Sequence, residues 1–338
     1  MIRKTDAETR REHEAVRNGV GFYDFTHEMI EVTGLQMGEF LDRIFANSMA
    51  DLPTGKAKYT QMLNDDGIII DDVIIFKVSD DAYWITTLYV DQMKEIFDTN
   101  ITDYDAAYQD VTADYVMYVV QGPKSRDVIN GVVEEAVDNL PWFSIMPNKI
   151  DDMDVHVSRA GYTGELGYEI YADASFKEAI ESRIKAAGEP FDIVEITTDA
   201  KLSSLPREKG YVLMSDVGGM NPIDAGFAWA VAWDTDFIGK EALAKAKEAG
   251  SRRALLGFVL DSDDDEVAID AGDDVMVEGE IVGQVTAVTY GYTVEKYIGY
   301  AVVDASKVGI GDRVTINDYA AELTKRAFYD VKNTRLTQ

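Results

Sequence analysis

From about Arg252 onward the chain changes character, and that change restricts the available folds more than any other feature. Before it, helix-period and strand-period apolar patterns alternate. After it only short strand patterns remain, at residues 255–260, 274–277, 281–289, 298–303, 313–316 and 320–324, separated by glycines and aspartates. Such spacing predicts a small β-barrel or sandwich of about 85 residues. The acidic run at 261–266 reads as a loop at its edge.

The earlier region reads as α+β. Met37, Phe40, Leu41, Ile44 and Phe45 fall on one helical face. Residues 59–63 form a strand pattern that meets Asn64-Asp65-Asp66-Gly67, a hairpin signal, with the return strand over 68–78. Further strands are predicted over 22–32, 83–87 and 115–121. Helices are predicted over 6–18, 90–97, 124–133, 176–187 and 198–205. A second, similar unit starts near Val155. The order strand, helix, strand, strand, helix, strand suggests split βαβ units. The expected division is residues 1–250 as a catalytic region of two α+β units and 251–338 as the barrel domain.

Composition removes several chemistries. The chain has no cysteine, which excludes disulfides, thiolate catalysis and cysteine-ligated metals. Its three histidines, His13, His27 and His156, are widely spaced, and no metal site is expected from them. Lys plus Arg number 32 against 62 Asp plus Glu, a net charge of −30 that repels nucleic acid and anionic lipid. No apolar stretch is long enough to span a membrane, and the start lacks a signal-peptide core. A cytoplasmic protein is expected.

Two segments could carry chemistry. Asp71 and Asp72 interrupt an apolar strand, and adjacent strand residues point to opposite faces. One carboxylate can therefore face a cleft; the alternative is a bulge with both solvated. The second segment is Ser158-Arg159-Ala160-Gly161-Tyr162-Thr163-Gly164-Glu165-Leu166-Gly167-Tyr168-Glu169-Ile170. Its glycines permit close approach of a ligand, Tyr162 and Tyr168 offer aromatic faces, and Glu169 can accept two N–H bonds from an amidine-like ring edge. The alternative is a glycine-rich hairpin in a core sheet. His27 reads as a structural residue within a strand, and Tyr83, Trp84, Trp229 and Trp233 as core.

The 158–170 motif, together with Tyr59-Thr60-Gln61-Met62-Leu63-Asn64-Asp65-Asp66-Gly67 running into Ile70-Asp71-Asp72, resembles the signature of the glycine-cleavage T-protein (aminomethyltransferase) family and its folate-dependent demethylase relatives. Glu12-His13-Glu14-Ala15-Val16-Arg17, Gln121-Gly122-Pro123-Lys124, Asn221-Pro222-Ile223-Asp224-Ala225-Gly226 and Phe237-Ile238-Gly239-Lys240 match in the same order. The resemblance implies two ferredoxin-like units and a C-terminal β-barrel around a central folate hole. It implies tetrahydrofolate as cofactor, Asp72 as catalytic and folate-contacting residue, and Tyr59, Tyr162 and Glu169 as folate contacts. It also implies a one-carbon transferase. The expected reaction moves a methyl group from a small O-, S- or N-methyl donor to N5; the alternatives are aminomethyl transfer in glycine cleavage and a non-catalytic folate-binding role. A partner subunit or carrier protein belongs to the same expectation. The family's folate-binding arginine stretch is replaced here around Ala200-Lys201-Leu202-Ser203-Ser204-Leu205. The segment Pro206-Arg207-Glu208-Lys209-Gly210-Tyr211 and the tail 328–335 resemble the demethylase side, and the short segment before Glu12 and Leu88 in place of an asparagine are further departures that bear on the lipoyl-protein substrate more than on folate.

Overall fold

The structure is a computed structural model that describes every residue except Thr198. Two large, mainly antiparallel sheets, a closed barrel and a two-stranded pairing of Ile2–Arg3 with Glu266–Val267 make up its β-structure. The first sheet runs Ala57–Leu63, Ile69–Ser79, Ala82–Thr87, Glu28–Thr33, Ala107–Asp110. The second runs Val194–Glu195, Gly21–Asp24, Tyr115–Gln121, Gly167–Asp173, Met153–Ser158, Ile145–Ile150, with its first strand parallel to the next.

The single extended stretch expected over 22–32 is two strands in different sheets. Phe25, Thr26 and His27 carry the chain between them, because Asp24 Oδ1 accepts from the Thr26 backbone N–H and hydroxyl and turns the backbone. His27 therefore lies in this crossover, edge-on to Phe25 at 4.3 Å, rather than in a strand.

Each sheet buries two faces. Helices Met37–Ile44 and Val90–Asn100 cover the outer face of the first, packing Phe40, Leu41, Met93 and Phe97 on Val32, Met62, Val73 and Ile85. Helices Ser125–Asn130 and Lys177–Gly188 cover the second in the same way, with Val128, Ile129, Ile180 and Ile184 on Tyr118, Val120, Tyr168 and Ile170. The inner faces meet through Met29, Phe76 and Trp84 of one sheet and Tyr23, Met117, Val119 and Tyr171 of the other. The alternation of side chains along each strand thus decides which residues reach the space between the sheets.

The barrel follows in the order Arg253–Leu260, Lys296–Asp304, Glu280–Gly291, Asp274–Val277, Arg313–Ile316, Tyr319–Thr324. Closure removes exposed sheet edges, and the inward alternation fills the interior with Phe258, Val275, Val285, Ala301, Ile316 and Leu323. The predicted 198–205 helix is a π-helix over Ala200–Ser204 that runs into helix Leu205–Lys209; Thr198 lies outside the described residues. Helix Ala7–Asn18 starts at Asp6, whose carboxylate accepts from Glu8 N–H and Thr9 N–H. It carries His13 and Arg17 inward to meet the Leu205–Lys209 helix.

No helix among the described residues is long and apolar enough to cross a membrane.

Candidate functional site

The hairpin that begins at Asn64 builds the first part of the site. Asn64 Oδ1 accepts from Asp66 N–H at 3.1 Å and Ile68 N–H at 3.0 Å, and Gly67 takes a φ of 74°. The resulting register sets Gln61 opposite Asp72 and Tyr59 opposite Ile74. Tyr59, Gln61 and Asp72 therefore share the inner face, and the Tyr59 hydroxyl donates to Asp72 Oδ2 at 3.0 Å. Asp71 faces the helix-covered core instead, 2% exposed. Its Oδ2 accepts from the Thr87 hydroxyl at 2.6 Å and its Oδ1 from Asp72 N–H at 2.9 Å.

Both carboxyls hold their protons more tightly than usual. Burial pushes Asp72 up to about 6; the Tyr59 hydrogen bond pulls it down and the Asp216 charge pushes it up again. Burial pushes Asp71 up to about 7 against the pull of Thr87, and the Asp72 charge adds to the rise. For Asp71 this sets the sign of a stability effect. Its folded-state value is raised, so its contribution is complete below its ordinary value of 3.8 and is lost as pH rises through about 7. Asp71→Asn is expected to gain about 2 kcal/mol over the native chain between pH 5 and pH 8, measured by urea unfolding at both. An equal offset at the two pH values would contradict it.

The 158–170 segment builds the second part. Ser158 and Tyr171 both donate to Glu169 Oε2, at 2.6 Å and 3.0 Å. Glu169 Oε1 has no hydrogen bond among the described residues. Burial pushes this carboxyl upward, while the Ser158 and Tyr171 bonds pull it down. The nearby Tyr23 hydroxyl is buried without a partner. Tyr162 stacks on Tyr211 with ring centroids 5.5 Å apart, and its hydroxyl donates to the Val212 carbonyl.

The glycines of this segment serve a purpose that the sequence did not disclose. A Cβ on Gly167 would lie 1.9 Å from Gln121 Nε2, and one on Gly161 would lie 2.1 Å from it. These glycines admit the Gln121 side chain, which donates to the Ala160 carbonyl and accepts from the Thr163 hydroxyl. They close the loop over protein rather than over ligand.

The structure thus joins Tyr59 and Asp72 directly and sets the Tyr162 hydroxyl within the field of Asp72. Glu169 belongs to a separate polar group facing the same inter-sheet space, and no hydrogen bond joins the two groups among the described residues. Tyr168 points into the outer core, away from both.

Several residues at the site were not singled out from the sequence. Trp229, expected in the core, is 70% exposed and stacks on Tyr59 at 5.7 Å. Phe227 packs on Tyr59 at 5.5 Å. Asp216 is buried, paired through Oδ2 with Arg207 and with Leu213 N–H, while its Oδ1 has no partner. The Gln61 amide is fully buried, with both polar atoms unpartnered. Arg326 lies over the Phe227 ring at 4.8 Å, with Nη1 buried and unpartnered. The costly arrangement of so many unsatisfied polar atoms in one region was hidden because its members lie far apart in sequence. Among the described residues no group of three or more histidine, aspartate or glutamate side chains is arranged to hold a metal.

Comparison with known proteins agrees with this architecture. The family model described as the GCVT N-terminal domain matches residues 3–235, and the glycine cleavage T-protein C-terminal barrel domain matches residues 253–330. An aminomethyltransferase of Flavobacterium psychrophilum is 30% identical over 338 residues, covering 94% of this chain and 90% of that one. An aminomethyltransferase of Halothermothrix orenii is 32% identical over 312 residues, covering 90% of this chain and 86% of that one. The solved glycine cleavage system aminomethyltransferase T of Bartonella henselae superposes with a TM-score of 0.87 at 22% identity, covering 98% of this chain and 91% of that one, a likeness of fold. With both of its family models matched in order along one chain, the protein belongs to the glycine cleavage T-protein family.

Proposed function

We propose that the protein is a tetrahydrofolate-dependent one-carbon transferase, and that the group it handles is the aminomethyl group named in its relatives. The observation that carries the reading is the pair of half-satisfied carboxyls facing one inter-sheet space, Asp72 held by Tyr59 and Glu169 held through a single oxygen.

The residues suit a reduced pterin. Glu169 Oε1 is open to the amino and ring N–H groups of a pterin edge, while Ser158 and Tyr171 fix the carboxylate's orientation. The unpartnered Tyr23 hydroxyl and Gln61 amide offer further donors and acceptors of the kind a heterocycle satisfies. Tetrahydrofolate, when bound, supplies the nitrogen that takes up the one-carbon unit. Asp72 holds or releases a proton beside that nitrogen and balances positive charge there, tuned toward neutrality by its burial. Tyr59 orients the Asp72 carboxylate through its hydroxyl. Positioning of donor and acceptor at about 3–3.5 Å supplies much of the remaining rate.

The experiment is an anaerobic assay of the full chain with tetrahydrofolate and an aminomethyl-loaded lipoyl carrier protein. Appearance of methylene-tetrahydrofolate and ammonia supports the reading. A protein that binds folate but leaves the carrier untouched rejects the aminomethyl group. The second reading, transfer of a methyl group from a small O-, S- or N-methyl donor, then takes its place. One observation favours it: the partly buried Arg326 guanidinium near Tyr59, whose Nη1 is sealed from solvent without a partner.

A further inference from the structure

Trp229 stands 70% exposed, so core burial does not account for a tryptophan at this place. Its contacts do. The indole lies nearly parallel to the Tyr59 ring, with centroids 5.7 Å apart and planes inclined by 24°. Phe227 meets the same ring at 5.5 Å and 56°, and packs edge-on against Trp229 at 6.4 Å. Two rings in different planes thus hold the Tyr59 side chain. The short helix Ala228–Ala230 that carries Trp229 is itself tied down: Phe227 N–H donates to the Pro222 carbonyl at 2.6 Å, and Ala232 N–H to the Ala46 carbonyl at 2.8 Å. Ala46 N–H donates in turn to the Gln61 carbonyl, and Asn47 Nδ2 to the Tyr59 carbonyl at 3.1 Å. The Tyr59 hydroxyl delivers one bond, to Asp72 Oδ2 at 3.0 Å. Burial and the Asp72 charge push that hydroxyl well above its ordinary value, so it keeps its proton. The hydroxyl lies on the long axis of the ring, so a ring flip leaves it in place and only a swing about χ1 withdraws it. The stacked indole face blocks that swing on one side.

Resting on the one-carbon-transfer reading, we propose that Trp229 is a positioning residue whose indole holds the Tyr59 hydroxyl on Asp72 and so keeps that carboxyl aligned for the transfer. It acts through Tyr59 and not by touching the reacting atoms. A rival role is a shield that keeps water from Asp72, and the two roles differ in sign. The groups that face Asp72 are Tyr59 from its own sheet, Asp216 from helix Met214–Val217 and Tyr162 from the glycine-rich segment; Gln61 and Arg326 act on the Tyr59 hydroxyl. Burial pushes the Asp72 carboxyl up, the Tyr59 bond pulls it down, and Asp216 pushes it up. Losing the Tyr59 bond therefore raises the Asp72 midpoint above its native value of about 6, whereas wetting the site lowers it.

The test titrates the Asp72 carboxyl by carbon-13 NMR in the full chain, aspartate-labelled and without ligand, the resonance being assigned by its loss in Asp72→Asn. It is paired with kcat profiles in the aminomethyl assay. Trp229→Leu is expected to raise the carboxyl midpoint by about one pH unit. Turnover is expected to fall about 10- to 100-fold, with KM for tetrahydrofolate within a few-fold of native. Trp229→Phe keeps a ring face against Tyr59 and is expected to recover most of both. In a Tyr59→Phe background Trp229→Leu should add nothing, because the bond it protects is already gone. The indole is mostly solvated, so the Tm of Trp229→Leu should stay within a few degrees of native. An unmoved midpoint overturns the proposal, and a lowered one assigns the indole to shielding and overturns it as well. So does an equal shift in the Tyr59→Phe background, or a Tm drop of more than about 5 °C, which assigns the ring to structure. Weakened tetrahydrofolate binding with an unmoved midpoint assigns the indole to ligand stacking and also overturns it. If the native chain transfers nothing, the one-carbon-transfer reading fails, while the ligand-free titration still decides whether Trp229 positions Tyr59.

Discussion

Asp72→Asn is expected to lower turnover by about 10²- to 10⁴-fold while leaving tetrahydrofolate affinity within a few-fold of native. The amide keeps the shape of the carboxyl and can still accept from the Tyr59 hydroxyl, so the local structure has little reason to move. What is lost is the negative charge and the capacity to take a proton. The native enzyme carries its own control in pH. Burial sets the Asp72 carboxyl at about 6, so the ionised form fades as pH falls through that value and activity falls with it. Asp71, on the opposite face of the strand, is pushed up to about 7 mainly by burial, with the Asp72 charge adding to the rise. A kcat profile in native protein should therefore drop on the acid side as pH falls through about 6, and the drop should be absent in the residual activity of Asp72→Asn. A variant with native turnover would remove Asp72 from the chemistry.

The largest stability effect is expected at Glu208→Ala. Glu208 is fully buried; its Oε2 accepts from Arg17 Nη2 at 3.1 Å, its Oε1 accepts from Thr293 N–H at 2.7 Å, and His13 Nε2 lies 3.3 Å from Oε2. Burial pushes this carboxyl up, but the His13 bond and charge, the Arg17 charge and the Thr293 bond outweigh it and hold it at about 2. Burial lowers His13 itself against the upward pull of Glu208, and Arg17 supplies a permanent charge on the same carboxylate. The His13 contacts, Ser204 at Nδ1 and Thr293 and Glu208 at Nε2, fit a proton on Nε2. Removing Glu208 leaves the Arg17 guanidinium buried with one carboxylate partner, Glu165, and is expected to cost about 3–5 kcal/mol in urea unfolding. Because Glu208 keeps a depressed value, its stabilisation persists above the usual carboxylate range and is lost only as pH falls toward about 2. A loss below about 1 kcal/mol would mean the cluster is solvated in solution.

This cluster also explains the order of the chain. Helix Ala7–Asn18 brings Arg17, the glycine-rich segment brings Glu165, and the tail brings Tyr329 and Arg335, which both bond to Glu165. Segments from the start, middle and end thus meet at one buried charge group, which ties the sheets to the barrel.

Much of this was legible in the sequence, for identifiable reasons. The Asn64–Gly67 hairpin, the strand period around Asp71 and Asp72 and the closely spaced barrel strands are local patterns, and local patterns survive folding. The alternation rule alone separates Asp72 from Asp71 once the turn fixes the register. The exchange of strands between sheets at Phe25 to His27 was not read from the sequence, because its only local mark is the Asp24–Thr26 turn, set among polar residues that a half-buried strand also carries. Nor was the role of Gly161 and Gly167, which depends on Gln121 some forty residues earlier. The Arg326, Asp216, Phe227 and Trp229 group is invisible for the same reason: each residue is ordinary in its own segment, and only packing makes them neighbours.

The central claim is that a reduced folate occupies the space between the sheets with its pterin edge on Glu169. Anaerobic calorimetric titration of the native chain and of Glu169→Gln with tetrahydrofolate tests it most directly. The glutamine side chain can still accept from Ser158 and Tyr171, so the fold should stand while the charged acceptor at Oε1 is lost. Saturable one-to-one binding to the native chain is expected, weakened about 10- to 100-fold in the variant. Equal affinity in both proteins, or no binding by the folded native chain, would contradict it.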